Sequence, residues 1–229
     1  MYDFLAGEVL LIDKPLNWTS FDVVNKIRFI IKRHLGIKKI KVGHAGTLDP
    51  LATGLVIVCT GKFTKKIDEY QGMIKEYVAE VRFGATTPTY DLESEPDATF
   101  PYEHITEDAL AEVLESQFSG EIEQTPPAFS AIKVKGQKAY DLARRGEKVE
   151  LKSRKVNIYE TDILRFDIPD VTLNVTCSKG TYIRSLAYDM GKALNSGAYL
   201  TGLRRTRIGE FRVENAISIE DLENSLFGK

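Results

Sequence analysis

Gly43-His44-Ala45-Gly46-Thr47-Leu48-Asp49-Pro50-Leu51-Ala52-Thr53-Gly54 is the stretch from which the rest of the chain is read. Three glycines, one imidazole and one carboxylate fall within a dozen residues. Segments with apolar residues flank it, Ile37 to Val42 and Leu55 to Val58. Glycine permits positive φ and close approach of a ligand or a neighbouring backbone. Asp-Pro favours the start of a turn, and the residue before proline is pushed out of the helical region. Asp49 is therefore expected on a tight loop at the end of a strand, its side chain facing a cleft. The Walker spacing is absent, and so is the dinucleotide fingerprint. On local chemistry Asp49 is either a turn former or a catalytic carboxylate. Its neighbours bear on the choice: Val23 to Leu48 holds seven Lys or Arg and no Asp or Glu, and Asp49 is the first acid after that run. A carboxylate at the end of a basic surface suits work on something anionic.

The chain has 229 residues, enough for one large domain or two small ones, and the reading adopted is a single domain over 1–229. Composition is that of a soluble globular protein. No apolar run is long enough to span a bilayer. Met-Tyr-Asp-Phe-Leu-Ala at the N-terminus lacks the basic and apolar regions of a signal peptide, so a cytoplasmic location with no membrane partner is expected. Cys59 and Cys177 sit in apolar strand-like runs and read as buried thiols. Two unclustered cysteines and three scattered histidines offer no metal pattern.

The net charge of −2 argues weakly against a nucleic-acid partner, but the distribution of charge argues for one. Phe83 to Ile132 holds eleven acids and no Lys or Arg, whereas Lys133 to Lys155 holds nine Lys or Arg against three acids. Lys192 to Arg212 is again basic. Such blocks suggest one positive and one negative face; solvated helix surfaces are the plainer explanation.

In chain order, Glu8 to Ile12 reads as a strand turned by Asp13-Lys14-Pro15. Thr19 or Ser20 caps a helix with Phe21, Val24, Ile27 and Ile31 as its apolar stripe. Lys75 to Phe83 alternates, with Tyr77, Ala79, Val81 and Phe83 on one face, which makes Tyr77 a core tyrosine by spacing alone. Gly84 to Pro96 reads as a loop and Thr106 opens an acidic helix. Two prolines keep Gln124 to Lys133 out of a helix; the basic segment that follows, to Gly146, reads as an arm or as a surface excursion. Thr181 is expected to cap a helix that carries Arg184 in its first turn. There its charge opposes the helix dipole and calls for an anion. Ile217 to Leu226 forms a terminal helix.

These residues resemble the TruB-type tRNA pseudouridine synthases. The likeness is carried by Asp13-Lys14-Pro15 with Thr19-Ser20, by the Asp49 stretch, and by Lys75-Glu76-Tyr77. It continues through Pro126-Pro127-Ala128-Phe129-Ser130-Ala131 with Lys133, Lys179-Gly180-Thr181-Tyr182-Ile183-Arg184, and Leu203-Arg204-Arg205-Thr206. The resemblance implies an α+β pseudouridine synthase fold, a mixed and mainly antiparallel sheet with flanking helices and a central RNA-binding cleft. It implies isomerisation of uridine-55 in the T loop of tRNA, without cofactor or metal, by a monomer. Asp49 matches the catalytic aspartate, Tyr77 the tyrosine that packs on the target base, and Arg184 the arginine that pairs with the aspartate. Leu203 matches a pocket-lining residue and His44 a contact to the T loop. Tyr182, Lys14 and Lys133 join the substrate-binding set, and 126–146 matches a mobile arm that closes over RNA. Many family members continue into a small C-terminal RNA-binding domain of the PUA type; this chain ends at Lys229, and that domain is expected to be absent.

The implied reaction breaks the bond from ribose C1′ to uracil N1, turns the base and joins C1′ to C5. One carboxylate suffices where a hydrolytic glycosidase uses two. Asp49 acts at C1′, or forms a glycal by way of C2′, or attacks C6 of the base; the sequence leaves these open. An RNA-folding or binding module without chemistry and a uracil-releasing glycosidase are the competing readings.

Overall fold

The structure, a computed structural model, describes residues 2–130, 132–134, 136–147 and 149–228. Its first elements are β1 (Val9–Lys14), α1 (Ser20–Leu35), β2 (Val42–Ala45), β3 (Ala52–Thr60), α2 (Ile67–Gly72) and β4 (Lys75–Phe83). Then come β5 (Ala85–Thr86), β6 (Ala98–Thr99), α3 (Glu107–Gln117), β7 (Gly120–Gln124), β8 (Lys133–Val134), β9 (Gln137–Lys138) and α4 (Ala139–Arg144). The last are β10 (Arg154–Asp167), β11 (Asp170–Cys177), α5 (Ile183–Ala193), β12 (Ala198–Ile208), β13 (Phe211–Arg212) and α6 (Ile219–Phe227). The chain divides into two units, residues up to Tyr77 together with those from Leu203 onward, and Val78–Gly202. Among the described residues no helix is long and apolar enough to cross a membrane.

In the first unit β3 is the central strand, because Leu55 to Cys59 is apolar on both faces and wholly buried. β1 lies antiparallel along one edge, from Val9↔Cys59 to Lys14↔Gly54. Two strands share the other edge. β2 pairs antiparallel from Val42↔Thr60 to Ala45↔Ile57, and β12 pairs in parallel through Leu203↔Ala52, Arg204↔Thr53 and Arg205↔Gly54. Leu55, Ile57 and Cys59 pack with Ala45, Tyr70, Ile208 and Val213; each such aliphatic side chain contributes roughly 1.5–3 kcal/mol on burial.

Thr19 caps α1 in a capping box with Asp22, and Gly36 ends the helix at φ 65°. The buried face is Ser20, Val23, Val24, Ile27, Ile30 and Ile31. Phe21, expected inside, is 62% exposed: it lies about 100° round the helix from Ser20, off the buried stripe. Lys26 and Arg33 of α1 reach Glu223 of α6 at 2.8 and 3.6 Å. Arg28 is bonded to Asn25 and the Val42 carbonyl. Part of the basic run is thus engaged within the fold, and Lys38, Lys39 and Lys41 are exposed.

In the second unit the strand order is β12, β4, β11, β10, β7. The long hairpin of β10 and β11 is antiparallel, and β7 adds to β10 from Arg154↔Gln124 to Ile158↔Gly120. α3 starts at a Thr106 cap and buries Leu110 and Leu114. α5 buries Ile183, Arg184, Ser185, Leu186, Ala187 and Met190. Its cap position is Tyr182 rather than Thr181, whose hydroxyl donates to the Ser178 carbonyl. Gln124 does the capping from β7: its Oε1 accepts from the Tyr182 amide at 2.8 Å and its Nε2 donates to the Tyr182 carbonyl at 3.0 Å.

Among the described residues between Gln124 and Lys133 no helix forms, as the prolines require. The basic segment is a β8–β9 hairpin followed by α4. Ala131 and Lys135 of the expected arm, 126–146, lie outside the described residues. Glu93 accepts from the Tyr140 hydroxyl at 2.6 Å and from Arg144 at 3.1 Å, which joins α4 to the loop after β5.

Candidate active site

The loop bearing Asp49 leaves β2 at Ala45 and enters β3 at Ala52. The Asp49 carbonyl accepts from the Ala52 amide at 3.1 Å, which closes the turn that Asp-Pro begins. Asp49 is half-buried.

Buried polar side chains hold this loop to its unit. Ser20, in the first turn of α1, accepts from the Leu48 amide at 2.8 Å and donates to the Leu48 carbonyl at 3.2 Å. Lys14, at the end of β1, is 0% exposed. Its ammonium donates to the carbonyls of Pro15, Trp18 and Pro50 at 3.0, 2.6 and 3.3 Å. The sequence reading put Lys14 among the substrate-binding residues. In the structure the ammonium is enclosed, with three backbone carbonyls as its partners. Arg205 of β12, 1% exposed, donates from Nε to the Leu55 carbonyl at 2.7 Å and from Nη2 to the Gly46 carbonyl at 3.2 Å.

Burial pulls the Lys14 ammonium down to about 8; Asp49 opposes that shift and Arg205 adds to it. His44, half-buried on β2, is likewise held below the ordinary imidazole value by burial. A hydrogen bond with the Gly46 backbone opposes that, and Arg205 adds to it. His44 is therefore neutral at physiological pH and suited to hydrogen bonding rather than to charge pairing.

The other motif residues of this unit are placed by their neighbours. Asp13 receives Arg204 in a two-pronged contact at 3.0 and 2.7 Å. Glu76 accepts from Thr206 and Arg207. Tyr77 follows Glu76 and is 8% exposed, at the start of the buried face that its alternation foretold. Leu203 is half-buried, opposite Ala52 at the start of the parallel pairing.

Arg184 belongs to the second unit. Its guanidinium donates to the carbonyls of Thr89 and Phe129 at 2.9 and 3.0 Å, and Nη1 lies 3.5 Å from the Asp91 carboxylate. Asp91 was missed by sequence reasoning, which classed Gly84 to Pro96 as a loop. The clustering of Thr87, Thr89 and Asp91 around a proline was the available signal. Thr87 and Thr89 both donate to the Asp91 carbonyl and fix the turn. Tyr182 caps α5 with the Arg154 guanidinium 4.8 Å above its ring. Lys133 is exposed in the β8–β9 hairpin. Ser20 and Arg205 were also missed as site-shaping residues. Among the described residues no cluster of three or more His, Cys, Asp or Glu could hold a metal ion.

Comparison with known proteins identifies the family. The family description "TruB family pseudouridylate synthase (N terminal domain)" matches residues 32–183, and "tRNA pseudouridylate synthase B C-terminal domain" matches residues 184–228. A protein of Phocaeicola vulgatus named tRNA pseudouridine synthase B is 61% identical over 218 residues, covering 95% of this chain and 92% of that one. One of the same name from Flavobacterium johnsoniae is 58% identical over 225 residues, covering 98% of each. Among solved structures, a chain in "Crystal Structure of a Cbf5-Nop10-Gar1 Complex" superposes with a TM-score of 0.70 at 31% identity, over 96% of this chain and 54% of that one. A chain in "Structure of H/ACA RNP bound to a substrate RNA containing 2'-deoxyuridine" gives 0.68 at 30% identity, over 96% and 53%. The chain thus spans about half the length of those solved chains and nearly all of the curated relatives. The matched residues run from the helix before the Asp49 loop to the C-terminal helix, and they place this chain in the TruB family of pseudouridylate synthases.

Proposed function

We propose that this protein converts a uridine of tRNA to pseudouridine, at position 55 of the T loop, as a cytoplasmic monomer with no cofactor. One observation carries the reading: the chain spends buried side chains from β1, α1 and β12 on fixing the backbone around a single half-buried aspartate. That cost suits a carboxylate that must be held in one geometry for reaction.

In this reading the Asp49 carboxylate attacks ribose C1′, and the bond from C1′ to N1 breaks with its electron pair leaving on uracil. The base turns, C5 attacks C1′ and displaces the carboxylate, and the proton on C5 leaves as N1 gains one. Atoms balance without oxidant or water. Tyr77 offers a ring face to the uracil, Arg184 supplies positive charge, and Leu203 walls the pocket. Extruding the base from its loop costs a few kcal/mol. Phosphate contacts to exposed lysines such as Lys38, Lys39, Lys41 and Lys133 offset that cost.

The test is tritium release from tRNA labelled at uridine C5, with parent protein and Asp49→Asn. Release by the parent and a fall of about 10⁴-fold or more in the variant, with tRNA still retained, is the expected result. Retention without release by the parent supports a binding module instead. Free uracil in solution identifies a glycosidase.

A further inference from the structure

We infer that Arg205 is a positioning residue for the reaction, one that sets the Asp49 loop by completing a broken rung of the sheet. The inference rests on the assignment of Asp49 as the catalytic carboxylate.

The argument begins with an edge shared by two strands. Along one side of β3, β12 pairs up to Gly54 and β2 pairs from Ile57 onward. Leu55 falls in the gap between them. On the opposing side of that gap, β2 has just ended at Ala45 and Gly46 begins the loop. A carbonyl stranded in such a gap, out of reach of water, costs about 1–3 kcal/mol if left without a donor. Arg205 fills the gap from the last residue of β12 that pairs with β3, donating Nε to Leu55 and Nη2 to Gly46. One planar group thereby ties the first residue of the loop to the strand that follows it. The loop is pinned at its exit by Lys14 on Pro50 and within it by Ser20 on Leu48.

A guanidinium is required for this. Its donors point in fixed, divergent directions within one plane, whereas an ammonium is a compact point donor on a flexible stem. The backbone geometry leaves room for it. Gly54, at φ 102°, sits where a Cβ would fall 2.3 Å from the Arg205 carbonyl oxygen, so β12 approaches β3 at a distance only glycine allows. Arg205 and Asp49 also both lie close enough to Lys14 to shift its ionisation, in opposite directions. The catalytic carboxylate and the gap-filling guanidinium are therefore neighbours of one buried amine.

The experiment compares the full-length parent with Arg205→Lys, Arg205→Met and, as control, Asp49→Asn. It measures single-turnover tritium release from C5-labelled tRNA, tRNA retention on filters, thermal unfolding, and peptide-resolved amide exchange. We expect release to slow at least tenfold in Arg205→Lys and further in Arg205→Met. Affinity should stay within threefold, with faster exchange confined to residues 46–51. Release by Arg205→Lys within threefold of the parent overturns the inference. So does a rate loss with no change in loop exchange, and so does global unfolding of both variants, which makes Arg205 a general support of the fold. Asp49→Asn separates the two claims. Full release by that variant defeats the Asp49 assignment itself, whereas a silent Asp49→Asn beside an active Arg205→Lys defeats only the positioning role of Arg205.

Discussion

The guanidinium of Arg184 and the carboxylate of Asp91 lie 3.5 Å apart, with side chains 5% and 9% exposed, and the same guanidinium holds the Thr89 and Phe129 carbonyls. A buried pair of this kind fixes direction more than it adds stability, but removing one member withdraws compensation from the other's buried charge. We predict that Asp91→Ala lowers stability by about 3 kcal/mol in urea titration. It should slow tritium release at least tenfold while tRNA affinity changes less than threefold. An unchanged release rate removes Arg184 orientation from the account.

Ser20 serves both the amide and the carbonyl of Leu48, the residue before Asp49. Ser20→Ala leaves both groups buried without that partner and should cost about 1–3 kcal/mol. Because the loss falls on the loop, the rate of isomerisation should drop with little change in KM, as read from initial velocities over a range of tRNA concentrations.

Gly54→Ala is expected to be among the most damaging single-methyl changes in the protein. The residue combines φ 102° with a Cβ position 2.3 Å from the Arg205 carbonyl oxygen and 2.8 Å from its nitrogen. Backbone strain and overpacking together should cost about 3 kcal/mol or more. Denaturant midpoints report this directly, and a change under about 1 kcal/mol rules out the close approach of β12.

Lys14 sets a pH limit. Its ammonium titrates at about 8 and serves three carbonyls. As pH rises through that value one donor is lost and one carbonyl goes unserved, so the single-turnover rate should fall between about pH 7 and 9. The sign of the stability term is opposite. The folded-state pKa is below the unfolded value of 10.5, so between about 8 and 10.5 the unfolded chain holds more protons, and this group's contribution to stability rises with pH. Loss of rate in that window is then separable from unfolding by measuring both. Lys14→Met should be slow and lack the alkaline limb.

Lys38, Lys39, Lys41, Lys62 and Lys65 are exposed in the first unit, and the Gly61 amide next to Lys62 bonds the Lys41 carbonyl. Lys62→Ala with Lys65→Ala should weaken tRNA binding and flatten the log–log salt dependence by about 0.7–0.9 for each phosphate no longer neutralised. The rate at saturating tRNA should be unaffected.

What was legible in the sequence is local. The α1 cap at Thr19, the unbroken apolar run of β3, the alternation that buries Tyr77 and the proline block after Gln124 each depend on neighbours a few residues away. What was not legible depends on partners far along the chain. Arg205 serves a carbonyl 150 positions before it, Arg184 one 95 positions before, and Gln124 caps a helix 58 positions after. Lys14 was placed in a turn and in the substrate-binding set; its enclosure is not local, since one of its three carbonyls belongs to Pro50, 36 positions on. The basic run of α1 looked free because Glu223, which takes Lys26 and Arg33, comes from the last helix.

The turn that carries Asp91 also carries Glu93, whose amide bonds the Asp91 carboxylate at 3.0 Å and whose own carboxylate grips Tyr140 and Arg144 of α4. That grip is a surface one, worth about 1 kcal/mol or less. Such a latch opens at little expense, and an RNA phosphate competing for Arg144 would release it. Glu93, Asp91 and Arg184 thus make one short chain of contacts from α4 to the first turn of α5, with its weakest link at the surface.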